Sequence, residues 1–387
     1  MKSQNNPATV PLREIAAVFF RLGSTAFGGP AVHIAMMEEE FVRKRKWLTH
    51  EEFLDRLGVT NLIPGPNSTQ MAIHIGLKKA GWKGLIVAGF CFILPAAAIT
   101  LFFAYLYTRY GATPNFEAFF YGIRPVVIAL IFAALIRLGK PLMKNKFMVV
   151  TILLVAGFEL AYGKELLWLF LAGVVGMLWT QRQRFMKNTS RLCSFFVLPV
   201  SLVATSGDSL PSVPSLAGLG LFFLKVGSVL YGGGYVLLAF LQGGLVDSRH
   251  WLTQKQLLDG IAVGQFTPGP VLSTATFIGY LILGFPGAGI ATLGIFFPSF
   301  ILVLLCSPFV SKLRNSPTAK GFLDGVNAAS LGLMLAVGIN LGIHTLTGYP
   351  SWIIFILAAI VPFIWSLNSV WLILGGALLG YGFHFLI

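Results

Sequence analysis

Charge is what this sequence lacks most. Of 387 residues only 42 are charged, 28 basic and 14 acidic, which is 11%; a soluble domain carries about 25%. No Asp, Glu, Lys or Arg occurs between residues 260 and 311, or from 325 to 387. At about 1.5 Å per residue the first of these stretches would extend roughly 78 Å as helix, more than twice a hydrocarbon core of about 30 Å. It must therefore cross or re-enter a bilayer repeatedly. A water-soluble enzyme is excluded, and the expected fold class is an all-α polytopic membrane protein.

Cysteine is scarce too. Cys91, Cys193 and Cys306 lie in apolar segments with no close spacing, which leaves no disulfide framework and no zinc site. There is no G-x-x-x-x-G-K-[ST] phosphate loop and no H-E-x-x-H. His33, His74, His344 and His384 do not cluster as metal ligands and read as packing residues. No cofactor, no metal and no catalytic group is expected. Residues 1–13 lack the pattern of a cleaved leader, so the first apolar segment is expected to target the chain to the membrane. The net charge of +14 reflects basic cytoplasmic loops, with no call for nucleic acid.

What the chain does contain is itself, twice. Sliding it by 204 residues places Gly23-Ser24 on Gly227-Ser228, Gly28-Gly29 on Gly232-Gly233, Trp47-Leu48-Thr49 on Trp251-Leu252-Thr253, Leu54-Asp55 on Leu258-Asp259, and Pro64-Gly65-Pro66 on Pro268-Gly269-Pro270. Between residues 19 and 66 this gives 18 identities in 48 positions. The register continues at 203, pairing Pro95 with Pro298 and Gly122 with Gly325. Clear spans read at 84–108, 118–138, 147–162 and 165–180, then at 288–308, 321–346, 352–366 and 369–386. The expected organisation is a first repeat at 1–191, a linking membrane segment and loop at 192–214, and a second repeat at 215–387.

Loop charge differs between the copies. Residues 43–46 are all basic, while 247–250 hold only Arg249; Lys78, Lys79 and Lys83 face a stretch, 282–287, with no basic residue; Lys312, Arg314 and Lys320 face a region with only Arg109. Basic loops stay cytoplasmic, so the copies are expected to be inverted in the membrane. The odd crossing this requires falls to the segment at 192–206.

Each copy also carries two helix-length segments with a breaker in the middle. Gly28, Gly29 and Pro30 interrupt 15–41, Gly232, Gly233 and Gly234 interrupt 217–246, and the two Pro-Gly-Pro triplets interrupt 51–79 and 255–284. Proline removes a backbone donor and glycine permits unusual angles, so one helix should end and another begin at each point. Broken backbone survives in lipid only inside protein or against a water-filled cavity, and half-helix starts commonly face an anionic substrate. Asn67, Ser68, Thr69 and Gln70 follow the first triplet; Ser273, Thr274 and Thr276 follow the second. Amides, helix dipole and hydroxyls would make an anion cradle, against the plainer reading of capped turns. Arg21 and Lys225 each lie seven residues before a break and would suit a dianion, with snorkelling to a headgroup layer as the alternative. Asp55 and Asp259, nine residues before each Pro-Gly-Pro, could carry a coupled proton, hold a cation, or cap a surface helix after W-L-T. Arg124 falls on Asn327 and so has no cationic counterpart in the second copy.

The F-G-G-P at Phe27 to Pro30, the W-L-T at Trp47 to Thr49, the P-G-P at Pro64 to Pro66, and their echoes at Tyr231 to Gly234, Trp251 to Thr253 and Pro268 to Pro270 resemble the chromate ion transporter family in its long, two-domain form. That resemblance implies a bacterial inner-membrane secondary transporter that exports chromate and confers resistance, with sulfate as the chemical mimic. Gly234 departs from it, standing where the first copy has Pro30. The partners expected are an oxyanion, membrane lipid and a coupling proton, with a homodimer left open. Uptake of sulfate or another anion, a membrane-embedded enzyme, and a channel-like or scaffold protein stand as alternatives.

Overall fold

The computed structural model describes residues 10–185 apart from 112, 213–307 apart from 232, 233 and 235, 317–364 and 369–386. The expected linking segment at 192–206 lies outside them, as do Gly232 and Gly233. Among the described residues the chain is helical, without strands. In the first copy the helices are α1 (Leu12–Thr25), α2 (Pro30–Glu38), α3 (His50–Thr60), α4 (Asn67–Tyr110), α5 (Pro114–Gly139), α6 (Lys146–Tyr162) and α7 (Glu165–Phe185). In the second they are α8 (Leu216–Val229), α9 (Leu237–Leu241), α10 (Gln254–Phe266), α11 (Thr274–Cys306), α12 (Pro317–Thr345), α13 (Tyr349–Ile364) and α14 (Ser369–Leu386). Asn67–Tyr110, Pro114–Gly139, Val271–Cys306 and Thr318–Thr345 are long and apolar enough to cross a membrane. Phe90, Phe102, Leu153, Leu293 and Leu378 point outward, where lipid tails would cover them.

The breakers act where the sequence places them. α1 stops at Ala26, and Gly28 and Gly29 take φ of 109° and 80° before Pro30 opens α2, the first-turn position where a missing N–H costs nothing. The W-L-T motifs prove to be helix starts. Thr49 and Glu52 form a capping box at α3, and Thr253 and Gln256 form the same box at α10.

Between the segment expected to end at 79 and the span expected to begin at 84, the chain turns back on itself. α4 is not one rod, because Ala80 (φ −143°, ψ 26°) and Gly81 (φ 61°, ψ −151°) reverse it. The half-helix 67–79 folds back on the long arm so closely that a Cβ on Gly76 would collide with the Gly84 carbonyl. α11 repeats the turn at Leu283 (φ −137°, ψ 24°) and Gly284 (φ 62°, ψ −151°), with Gly279 against Gly287. At about 1.5 Å per residue the 67–79 arm reaches only about 20 Å, too short to span the hydrocarbon alone. With α3 it makes a limb whose tip is Pro64-Gly65-Pro66.

The copies pack by exchange. α1 lies on α4 and α8 on α11, while α4 and α11 face each other. α5 of the first copy packs against α13 and α14 of the second, and α12 of the second packs against α6 and α7 of the first. The crossings are equally close: a side chain on Gly122 would strike Gly376 and Gly380, and one on Gly325 would strike Ala172 and Gly173. Small residues let helix backbones approach where water supplies no driving force.

Candidate functional site

The tips of the limbs reach into the opposite copy. The Gly65 amide donates to the Leu230 carbonyl at 2.7 Å, and the Gly269 amide donates to the Ala26 carbonyl at 2.9 Å. Ala26 caps α1 and Leu230 caps α8, so each Pro-Gly-Pro is bonded to the helix break of the other copy. The four interruptions therefore meet in two crossed pairs. Gly65 (φ 122°) and Gly269 (φ 88°) hold backbone conformations that favour glycine.

Each glycine amide is thus already occupied, and the open donors lie one step further on. Gln70 makes the first turn bond of α4, to Pro66 at 2.9 Å, and no side chain caps the helix. The amides of Asn67, Ser68 and Thr69 are left at its positive end. Asn67 Nδ2 donates to Asn61 Oδ1 at 2.6 Å, and Pro64 accepts from Gln70 Nε2 at 2.5 Å. Ser68 and Thr69 are buried, and Thr69 Oγ1 has no partner. The second copy begins more tightly. After Pro268-Gly269-Pro270 a short 3-10 turn, Val271–Ser273, precedes α11. Ser273 accepts from Thr100 at 3.2 Å, and Thr274 donates to the Val271 carbonyl at 2.8 Å.

The charged candidates are spread out. Arg21 lies 2.7 Å from Glu40, which also takes Arg45 Nε at 2.6 Å, and Arg45 reaches Glu14. Arg21 lines an open crevice of about 680 Å³ beside the first break, with Thr25, Glu39, Glu40 and Lys44. Glu40 is not the solvated loop residue that a run of Glu38, Glu39 and Glu40 suggests; it is buried. Burial pushes its carboxyl up, but the bonds from Arg45 and Arg21 outweigh that and hold it below its ordinary value. Lys225, the counterpart of Arg21, is half-buried and forms no ion pair among the described residues. The copies are chemically unequal here.

They are more unequal at the paired aspartates. Asp55 is half-buried on α3. Asp259 is 0% exposed on α10 and accepts from Tyr107 Oη at 2.8 Å, Arg124 Nε at 2.7 Å and Arg124 Nη2 at 3.0 Å. Arg124 also binds Glu117 at 2.8 Å, and Glu117 binds Lys255 at 2.7 Å. Four charges, two of each sign, join α5 of the first copy to α10 of the second, and the Tyr107 hydroxyl adds α4. Asn327 stands in the second copy where Arg124 stands in the first. Sequence reasoning singled out Arg124 by this asymmetry and Asp259 by the repeat, but nothing in the sequence joins residues 135 positions apart. Thr100 and Ser299 escaped it entirely, because single polar residues in apolar runs carry no periodic signal, and Gln70 was singled out only as one of the four residues that follow the first triplet.

The chromate transporter family profile matches residues 13–177 and again 217–381. The chain belongs to the chromate transporter family. A chromate transport protein of Cupriavidus metallidurans is 32% identical over 382 residues, covering 98% of this chain and 94% of that protein. A probable chromate transport protein of Synechococcus elongatus is 31% identical over 364 residues, with 92% and 91% covered. An uncharacterized transporter of Methanocaldococcus jannaschii is 29% identical over 396 residues, with 98% and 96% covered. No solved structure matches the chain. Family membership and the apolar spans make this a multi-pass membrane transporter of the chromate transporter family, and not an enzyme.

Proposed function

We propose that this protein carries a tetrahedral oxyanion, chromate first among them, outward across the bacterial inner membrane and so gives chromate resistance. The observation that carries this reading is the reciprocal bonding of Gly65 to Leu230 and Gly269 to Ala26. It gathers four helix breaks, with the amides and hydroxyls that follow them, at the meeting of the two copies. Positive half-helix ends buried in protein are suited to an anion that has shed its water. The two copies are inverted in the membrane, a reading supported by the opposed loop charges and by the exchange of α5 and α12. Rocking of one copy against the other opens the meeting point to each side in turn, and an ion gradient drives it.

Arg21 and Lys225 serve this reading from a distance, seven residues or about two turns before each break, where they raise the local concentration of anions. Arg21 does so from the open crevice, held by Glu40. The test is transport by protein reconstituted in liposomes, with chromate, sulfate and other oxyanions in competition, with and without a pH gradient. Saturable chromate movement accelerated by a gradient is the expected result. Chromate movement no faster than in empty liposomes would overturn the reading, and sulfate carried in preference would make chromate the mimic.

A further inference from the structure

The two half-helix starts are related by the repeat, yet among the described residues only the first leaves buried side-chain polar atoms unanswered. Thr69 Oγ1, Gln70 Oε1 and Ser299 Oγ have no hydrogen-bond partner, and all three residues are 0% exposed. Ser299 comes from α11, in the other copy. A Cβ on Gly65 would sit 2.6 Å from Ser299 Oγ and 2.5 Å from Gln70 Nε2, so Ser299 and Gln70 converge on the first Pro-Gly-Pro, where the amides of Asn67, Ser68 and Thr69 also lie open. In the second copy Ser273 and Thr274 are satisfied, and Ala96 holds the position equivalent to Ser299.

The unanswered atoms are not all of one kind. Gln70 Nε2 donates to the Pro64 carbonyl at 2.5 Å. A carbonyl cannot face the amide oxygen, so this bond fixes the orientation and leaves Oε1 as a pure acceptor. Backbone amides and hydroxyls can all donate to an oxyanion. Oε1 cannot, and a fully deprotonated tetrahedral anion has no proton to give it. A monohydrogen oxyanion has one.

From this juxtaposition we infer that the seat lies at the first half-helix start and not the second, between residues 67–79 of the first copy and Ser299 of the second, and that it takes the monoprotonated form of its anion, with the O–H given to Gln70 Oε1. This deepens the reading of the protein as an oxyanion transporter and rests on it. It also supplies specificity. Chromate carries a proton on an appreciable fraction of its molecules near neutral pH, whereas sulfate does so only in strong acid. A site built around a hydrogen bond rejects the analogue that lacks it far more strongly than a shape difference would. The close packing around Gly65 means the seat opens only as the copies part.

The titratable and charged groups around this half-helix are His74 on it, Lys78 and Lys79 at its far end, Glu52, Asp55 and Arg56 on α3, Tyr231 beside Leu230, and the thiols of Cys91 and Cys306 in the clusters packed against it. His74 Nε2 is itself unpartnered, so the experiment must separate its proton from that of the ligand. Chromate transport by the full chain in liposomes would be measured between about pH 8 and about pH 6 for wild type, His74→Gln, Gln70→Leu, Ser299→Ala and Ser330→Ala. Ser330 is an equally buried, unpartnered hydroxyl on α12. The inference expects KM for total chromate to fall with pH as the hydrogen chromate fraction rises, in wild type and in His74→Gln alike. Sulfate should compete at least about tenfold more weakly than chromate. Gln70→Leu should lose the pH dependence and most of this discrimination, Ser299→Ala should raise KM by about tenfold, and Ser330→Ala should change nothing. A wild-type KM independent of pH, a pH dependence abolished by His74→Gln alone, or equal competition by sulfate would overturn it. If wild type moves no oxyanion at all, the parent reading fails instead.

Discussion

At the scale of single residues, the molecule is governed by what a charge costs away from water. Asp259 is fully buried and holds its place because Arg124 and Tyr107 supply three hydrogen bonds to it. Removing one partner strands the other, whereas replacing both with apolar groups does not. Arg124→Gln or Asp259→Asn should therefore destabilise the detergent-solubilised protein by about 3 to 5 kcal/mol, read as a lowered unfolding midpoint. The double variant Arg124→Met with Asp259→Leu should recover much of the loss. Glu40 gives a pH-dependent counterpart. Its carboxyl is held below its ordinary value of 4.5 by Arg45 and Arg21, so it binds its proton less readily folded than unfolded. Its contribution is complete above that ordinary value and disappears as pH falls through the lowered one. Glu40→Gln should flatten the acid limb of a stability-versus-pH curve and leave neutral-pH transport of solute measurable.

Elements show where local sequence suffices and where it does not. The Pro-Gly-Pro breaks, the Gly-Gly-Pro break and the W-L-T caps were legible, because proline, glycine and a capping threonine act within a few residues. At Ala80-Gly81 and Leu283-Gly284 boundaries were legible, between 79 and 84 and between 284 and 288, but not the reversals. A lone glycine between apolar runs is compatible with a straight helix, and only the tight fit of Gly76 on Gly84 and of Gly279 on Gly287 reveals the fold-back. Both turn glycines combine φ near 60° with ψ of −151°, a region essentially closed to side chains. Gly81→Ala and Gly284→Ala should each cost about 1 to 3 kcal/mol, visible as a lower unfolding midpoint, while alanine at Gly157, in open space on α6, should cost nothing.

On the scale of the whole molecule, the repeat was legible and the exchange was not. Counting W-L-T and P-G-P twice gives two copies, but which helix packs on which depends on contacts between residues some 200 positions apart. Neither Gly122 meeting Gly376 nor Gly65 bonding Leu230 leaves a trace in one sequence. The chemical inequality of the halves was legible in part, because the alignment of the chain on itself exposes Arg124 against Asn327, Pro30 against Gly234 and the unequal loop charges. An interlocked pair of unequal copies is suited to a carrier in which one half-helix seats the anion and the tethered limb braces it.

The crossing of the two copies at their broken helices is the claim on which the rest stands, and one cross-link tests it. Thr100 of the first copy and Ser273 of the second approach to 3.2 Å between side-chain oxygens. With Cys91, Cys193 and Cys306 replaced by serine, the double variant Thr100→Cys with Ser273→Cys would be oxidised in membranes, cleaved at a protease site introduced between the copies, and run without reductant. The account expects the halves to stay joined, and chromate transport to stop on oxidation and return on reduction. Halves that separate in a folded, fully oxidised protein, or transport that continues unchanged through the cross-link, would contradict it.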